Sequence, residues 1–141
     1  MIKMITIKKA VVLFLFFFIA NLSVDFTSEK TKDCLLRSST SEKVKIISML
    51  IFHHLFGTFM MCGWVFPNRA VLLTFICLSF AMQMEWLIYG HCRMTNYINN
   101  KCNQTSYFRD LIWKFNLKDM QDMFSIFLLI LGVLHYLHLS L

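Results

Sequence analysis

Small residues and helix breakers are scarce in this chain: it has one proline, four glycines and four alanines among 141 residues. Helices buried in lipid usually approach one another through small side chains. Their scarcity therefore argues for helices packed loosely, or against a partner, rather than for a tight self-contained bundle. Charge is scarce as well. Only 16% of residues are Asp, Glu, Lys or Arg, where a soluble domain carries roughly 25%. Recognised catalytic signatures are missing altogether: no Cys-x-x-Cys pair, Gly-rich phosphate loop, serine nucleophile elbow or metalloprotease helix occurs. These absences argue against an autonomous enzyme. The five cysteines form no metal signature, since Cys92 and Cys102 are separated by nine intervening residues, Cys34 is alone, and Cys62 and Cys77 fall within apolar runs.

What is present is apolar bulk. Hydrophobic residues make up 57% of the chain, with 15 Phe and 10 Met, a bias that also fits A+T-rich codons. A chain of this length has too much surface for its volume to bury that much apolar material in a water-soluble core. The bilayer is the natural solvent for the excess. The basic surplus, 14 Lys and Arg against 8 Asp and Glu, is gathered in short segments between the apolar runs. Such placement suits orientation and contact with anionic headgroups. It does not suit nucleic acid, which needs a basic face on a folded module.

The fold class expected is an all-α membrane protein with three or four transmembrane helices, a central helical hairpin and a short interfacial helix. Residues 1–24 read as a signal peptide or an N-terminal anchor. Lys3, Lys8 and Lys9 precede about eleven apolar residues from Ala10 to Ala20, short for a span but right for a signal core. Residues 25–43 read as an exposed polar connector without periodicity. Near its end Ser39 and Glu42 have capping-box spacing, which places a helix start there. The helical membrane domain then covers 44–141, with spans at about 44–66, 70–90 and 121–141. At 1.5 Å per residue, 21 residues cover about 31 Å, the hydrocarbon thickness. Pro67 ends the first of these spans, because proline breaks the hydrogen-bond ladder and restricts the residue before it. The short link Pro67-Asn68-Arg69 forces an antiparallel return. An interfacial helix is expected at about 105–116, where Tyr107, Phe108, Leu111, Ile112 and Phe115 fall on one helical face.

Orientation is read from the segments beside the spans. Residues 25–45 carry Lys30, Lys32, Arg37, Lys43 and Lys45, and residues 91–119 carry Arg93, Lys101, Arg109, Lys114 and Lys118. Two spans separate these segments, so both lie on one side, and the charge rule makes that side cytoplasmic. Three features point the other way: the signal-like N-terminus, the sequon Asn103-Gln104-Thr105, glycosylated only if luminal, and the chance that Cys92 and Cys102 pair in an oxidising lumen.

Intramembrane polar residues are the candidates for chemistry, since each is costly without a partner. His53 and His54 sit near the middle of one expected span, and His135 and His138 lie on one face of the last. His54 with His135, or His53 with His138, would be the pairs to hold a haem iron axially, or to line a haem or quinone site. The bland alternative is that each imidazole bonds a neighbouring helix. No cofactor is therefore expected, haem being the runner-up. Glu85, close to Gln83, is a candidate for a proton or ion path, or else pairs with Arg93 or His91.

The stretch from His53 to Thr95 carries His54-Leu55-Phe56-Gly57, then Gly63-Trp64-Val65-Phe66-Pro67-Asn68, then Trp86, and finally Cys92-Arg93-Met94-Thr95. In this it resembles a family of small, uncharacterised multi-span membrane proteins of bacteria and large DNA viruses, in which a Cys-x-Leu-Thr signature follows a Trp-bearing span. Met94 stands here for the Leu, and Ile98 stands where a Glu is expected. The resemblance implies a hairpin followed by a surface helix, with Trp86, Cys92 and Thr95 as its motif residues. It implies no biochemical activity, and with the codon bias it leans toward a viral source. The expected function is that of a structural or accessory subunit, with lipid, other membrane subunits or further copies of itself as partners.

Overall fold

The computed structural model describes residues 5–89, 93–102 and 118–139, and every regular element among them is helical. In chain order these are α1 (Ile7–Thr27), α2 (Glu29–Arg37), α3 (Thr40–Cys62) extended by a 3₁₀ turn (Gly63–Val65), α4 (Arg69–Tyr89), α5 (Arg93–Cys102) and α6 (Lys118–His138). Three segments are long and apolar enough to cross a membrane: Ile7–Thr27, Thr40–Val65 and Arg69–Tyr89. The apolar part of α6, Met123–His138, is shorter. The interfacial helix expected at 105–116 lies outside the described residues, as do Cys92 and Asn103.

Two expectations about the N-terminal third are corrected. The apolar run continues as helix through Ser23, Asp25 and Thr27, so the division at residue 24 falls inside α1. The supposed connector is itself largely helical. Ser28 ends α1 and starts α2: its N–H donates to the Asp25 carbonyl at 3.3 Å, and its Oγ accepts from the Thr31 N–H at 3.2 Å. Glu29 in the first turn of α2 and Arg37 in the last complement the helix dipole. One face of α2 packs on α3 and α5, which supplies what a nine-residue helix lacks in isolation.

The capping box at the start of α3 forms as its spacing predicts. Ser39 Oγ accepts from the Glu42 N–H at 3.4 Å, and the Glu42 carboxylate accepts from the Ser39 N–H at 3.2 Å. At the far end the chain tightens into the 3₁₀ turn and breaks before Pro67. Asn68 then restarts it, its Oδ1 accepting from the Val71 N–H at 3.1 Å, a side-chain cap for α4.

Cross-helix contacts fix the register. Phe14 meets Phe66 at 6.3 Å between ring centroids, and Asp25 meets His54, so α1 runs antiparallel to α3. Phe59 meets Phe75 at 6.1 Å and Met60 meets Ser79 at 3.9 Å, which is the antiparallel hairpin of α3 and α4. Arg69 lies 5.2 Å from the Tyr136 ring and Gln83 bonds Ser125, so α6 runs antiparallel to α4. The hairpin is real but it is not the tightest contact: α3 packs more extensively on α1, and α4 on α6.

Two of the scarce glycines, Gly63 and Gly132, sit at a close approach between helices. Phe75 is fully buried, and its ring lies between Gly63 and Gly132. A Cβ at either glycine would fall 2.6 Å from that ring. At the opposite end, Ile46, Leu50 and Ile98 form a buried cluster flanked by Phe26, Cys34, Leu35, Met49, Tyr97 and Cys102. This cluster is the core of a polar-surfaced cap built from α2, the start of α3 and α5.

Candidate functional site

Asp25 and His54 form a largely buried polar pair between α1 and α3. The sequence puts a carboxylate at the last turn of an apolar helix and an imidazole in the middle of another. Antiparallel packing of α1 on α3 brings them together. His54 Nε2 stands 2.6 Å from Asp25 Oδ2, with side chains 12% and 11% exposed. The carboxylate can only accept, so the ring N–H donates to it. His53 lies beside it with ring centroids 5.5 Å apart, edge to face.

His135 is engaged elsewhere. Its Nδ1–H donates to the Trp64 carbonyl at 2.8 Å. That carbonyl is one of those the break before Pro67 leaves without a helical partner, so the imidazole closes a gap in the α3 ladder. His54 and Trp64 are ten residues apart, or about 15 Å along the helix axis. His54 and His135 therefore occupy different levels and do not face each other across a shared axial site. His138 lies a turn beyond His135, farther still from His53. Among the described residues, no group of three or more His, Cys, Asp or Glu side chains converges.

Glu85 has the partner its position allows: Arg93 Nε approaches Glu85 Oε1 at 3.9 Å, and the guanidinium also lies 3.8 Å from the Tyr89 ring centroid. Arg93 is exposed and Glu85 partly so, and at this distance the pair contributes little to stability. Gln83, one turn toward the middle of α4 from Leu87, donates its amide N–H to Ser125 on α6. Trp86 is half-buried, and its indole N–H has no hydrogen-bond partner among the described residues. Thr95 lies on α5.

The cap holds a covalent link absent from the sequence reading. Cys34 on α2 is disulfide-bonded to Cys102 at the end of α5, with Cα atoms 5.1 Å apart. Cys102 is thus paired with Cys34 and not with Cys92. Lys101 next to it donates to Glu42 at 3.3 Å, tying α5 to the first turn of α3.

Three polar contacts thus tie the apolar helices together: Asp25–His54 joins α1 to α3, His135–Trp64 joins α6 to the end of α3, and Gln83–Ser125 joins α4 to α6. By sequence alone Asp25 reads as the first residue of a solvated connector. A carboxylate directly after a long apolar run, costly there without a partner, was the signal available. No family model, curated protein or solved structure matches the chain.

Proposed function

We propose that the chain is a small integral membrane protein that serves as a structural or accessory subunit, packing with partner membrane proteins or with further copies of itself. The observation that carries this reading is how the polar groups of the apolar helices are used. His54, His135 and Gln83 each make an interhelical bond, so both imidazoles of the first candidate pair are engaged in holding helices together. Outward, the helices present large apolar side chains, among them Val12, Phe16, Phe80, Leu87 and Ile88, each more than 60% exposed. Such faces suit lipid tails and the flanks of other spans. In this reading α1 stays in the membrane as a span, supported by its packing: Ala10 is buried, Phe14 meets Phe66 and Asp25 holds His54. The likeness carried by residues 53–95 belongs to the same proposal and adds no activity to it.

Purification in a mild detergent, with mass spectrometry of everything that co-purifies, tests the reading. The expected outcome is a reproducible set of membrane partners or a defined homo-oligomer, with the intact mass of the chain including α1. A stable monomer without partners would overturn it.

A further inference from the structure

We infer that the cap formed by α2, the start of α3 and α5 faces an oxidising compartment, and that the Pro67 turn, the Lys8–Lys9 end of α1 and the His138 end of α6 lie on the reducing, cytosolic side. The inference rests on the membrane-spanning reading above. It reverses the orientation that counting Lys and Arg suggests.

The cap contains Cys34–Cys102. Disulfides persist in oxidising compartments and are rare in the cytosol, so the face that holds one is fixed by chemistry rather than by charge statistics. The antiparallel registers extend the assignment to the whole chain. Phe14–Phe66, Arg69–Tyr136 and His135–Trp64 gather the start of α1, the Pro67 turn and the end of α6 at one end of the helices. Glu85–Arg93 and Glu42–Lys101 lie at the other, with Asp25–His54 between the two ends.

The charges accommodate this orientation. The first helix usually dominates the topology, and α1 is preceded or begun by Lys3, Lys8 and Lys9, which this arrangement keeps inside with Arg69. Four basic residues of the cap have acids beside them: Lys101 is paired with Glu42, Arg93 with Glu85, and Lys30 and Lys32 alternate with Glu29 and Asp33. The bond itself requires an oxidant of the thiol–disulfide class. The Cys34 and Cys102 thiols lose two protons and two electrons in becoming one disulfide, and an oxidoreductase disulfide or glutathione disulfide takes both up as two thiols.

The test uses the full-length chain in sealed vesicles whose cytosolic face is outward. A membrane-impermeant maleimide is applied before and after a permeant reductant, with and without detergent. Cys34 and Cys102 should label only when reductant and detergent are both present. A cysteine placed at Asn68 (N68C) should label on intact vesicles, and one at Lys8 (K8C) replaces it if N68C does not fold. Labelling of Cys34 and Cys102 without reductant would overturn the inference, and so would their labelling on intact reduced vesicles while N68C stays protected. Alkaline carbonate extraction of the same vesicles separates this failure from that of the spanning reading: a chain released into the supernatant fails the latter.

Discussion

At the scale of single residues, the pair Asp25–His54 has the clearest consequence. Removing one member leaves the other desolvated and unpaired, which for a buried pair costs about 3 kcal/mol or more. His54→Ala should therefore destabilise the protein by about that much, while Asp25→Asn combined with His54→Ala should be milder than the sum of the two single changes. A double-mutant cycle read by thermal unfolding in detergent measures the difference. The glycines give a second, opposed pair of outcomes. Gly132→Ala puts a methyl group 2.6 Å from a fully buried Phe75 ring, an overpacking cost of about 1–3 kcal/mol. Gly57→Ala meets nothing within 4 Å. It should be neutral or stabilising by up to about 1 kcal/mol, since alanine is the better helix former. Melting temperatures of the two variants should move in opposite directions, or one should move down while the other stays.

Elements differ in how far their sequence announces them. Where the causes are local, the reading succeeds: Ser39 and Glu42 close a capping box, and Pro67 ends one helix while the chain turns back in three residues. Ser39→Ala removes a helix N-cap and should cost about 1 kcal/mol, visible as faster amide hydrogen exchange in the first turn of α3. Where the causes are distant, the reading falls short. Helix α2 is polar, and what holds it is the cluster of Ile46, Leu50 and Ile98, drawn from two other helices. Helix α5 is polar too, and its Ile98 is what packs it on Ile46 and Leu50 of α3. Which partner each histidine takes is not legible either, because the depth of His135 depends on where α6 docks against α4, and no periodicity in the sequence encodes that register. The partners actually chosen, a carboxylate on α1 and an orphan carbonyl at the α3 break, answer the rule that polar groups in an apolar setting find whatever is nearest. Scarcity of small residues argues for loose packing, yet two of the four glycines lie at a close contact with the buried Phe75 ring.

On the scale of the whole molecule, two helix pairs, α1 with α3 and α4 with α6, are joined through the α3–α4 hairpin and fastened above by the cap. Its covalent link closes a loop with a sequence separation of 68, for which chain entropy sets a stabilisation of up to about 4 kcal/mol. Cys34→Ser should lower the midpoint of unfolding by an amount approaching that figure, and a reductant should reproduce the loss in the parent but not in the variant. The link also changes the connectivity of the chain. Residues 34–102 form a closed ring that holds both arms of the hairpin, and α1 and α6 are the two free tails that leave it. A protease machine drawing the protein out of the membrane from either terminus can thread one tail as a single strand. On reaching the ring it must either pull two strands through at once or wait for reduction, so degradation should stall at fragments bounded by Cys34 or Cys102.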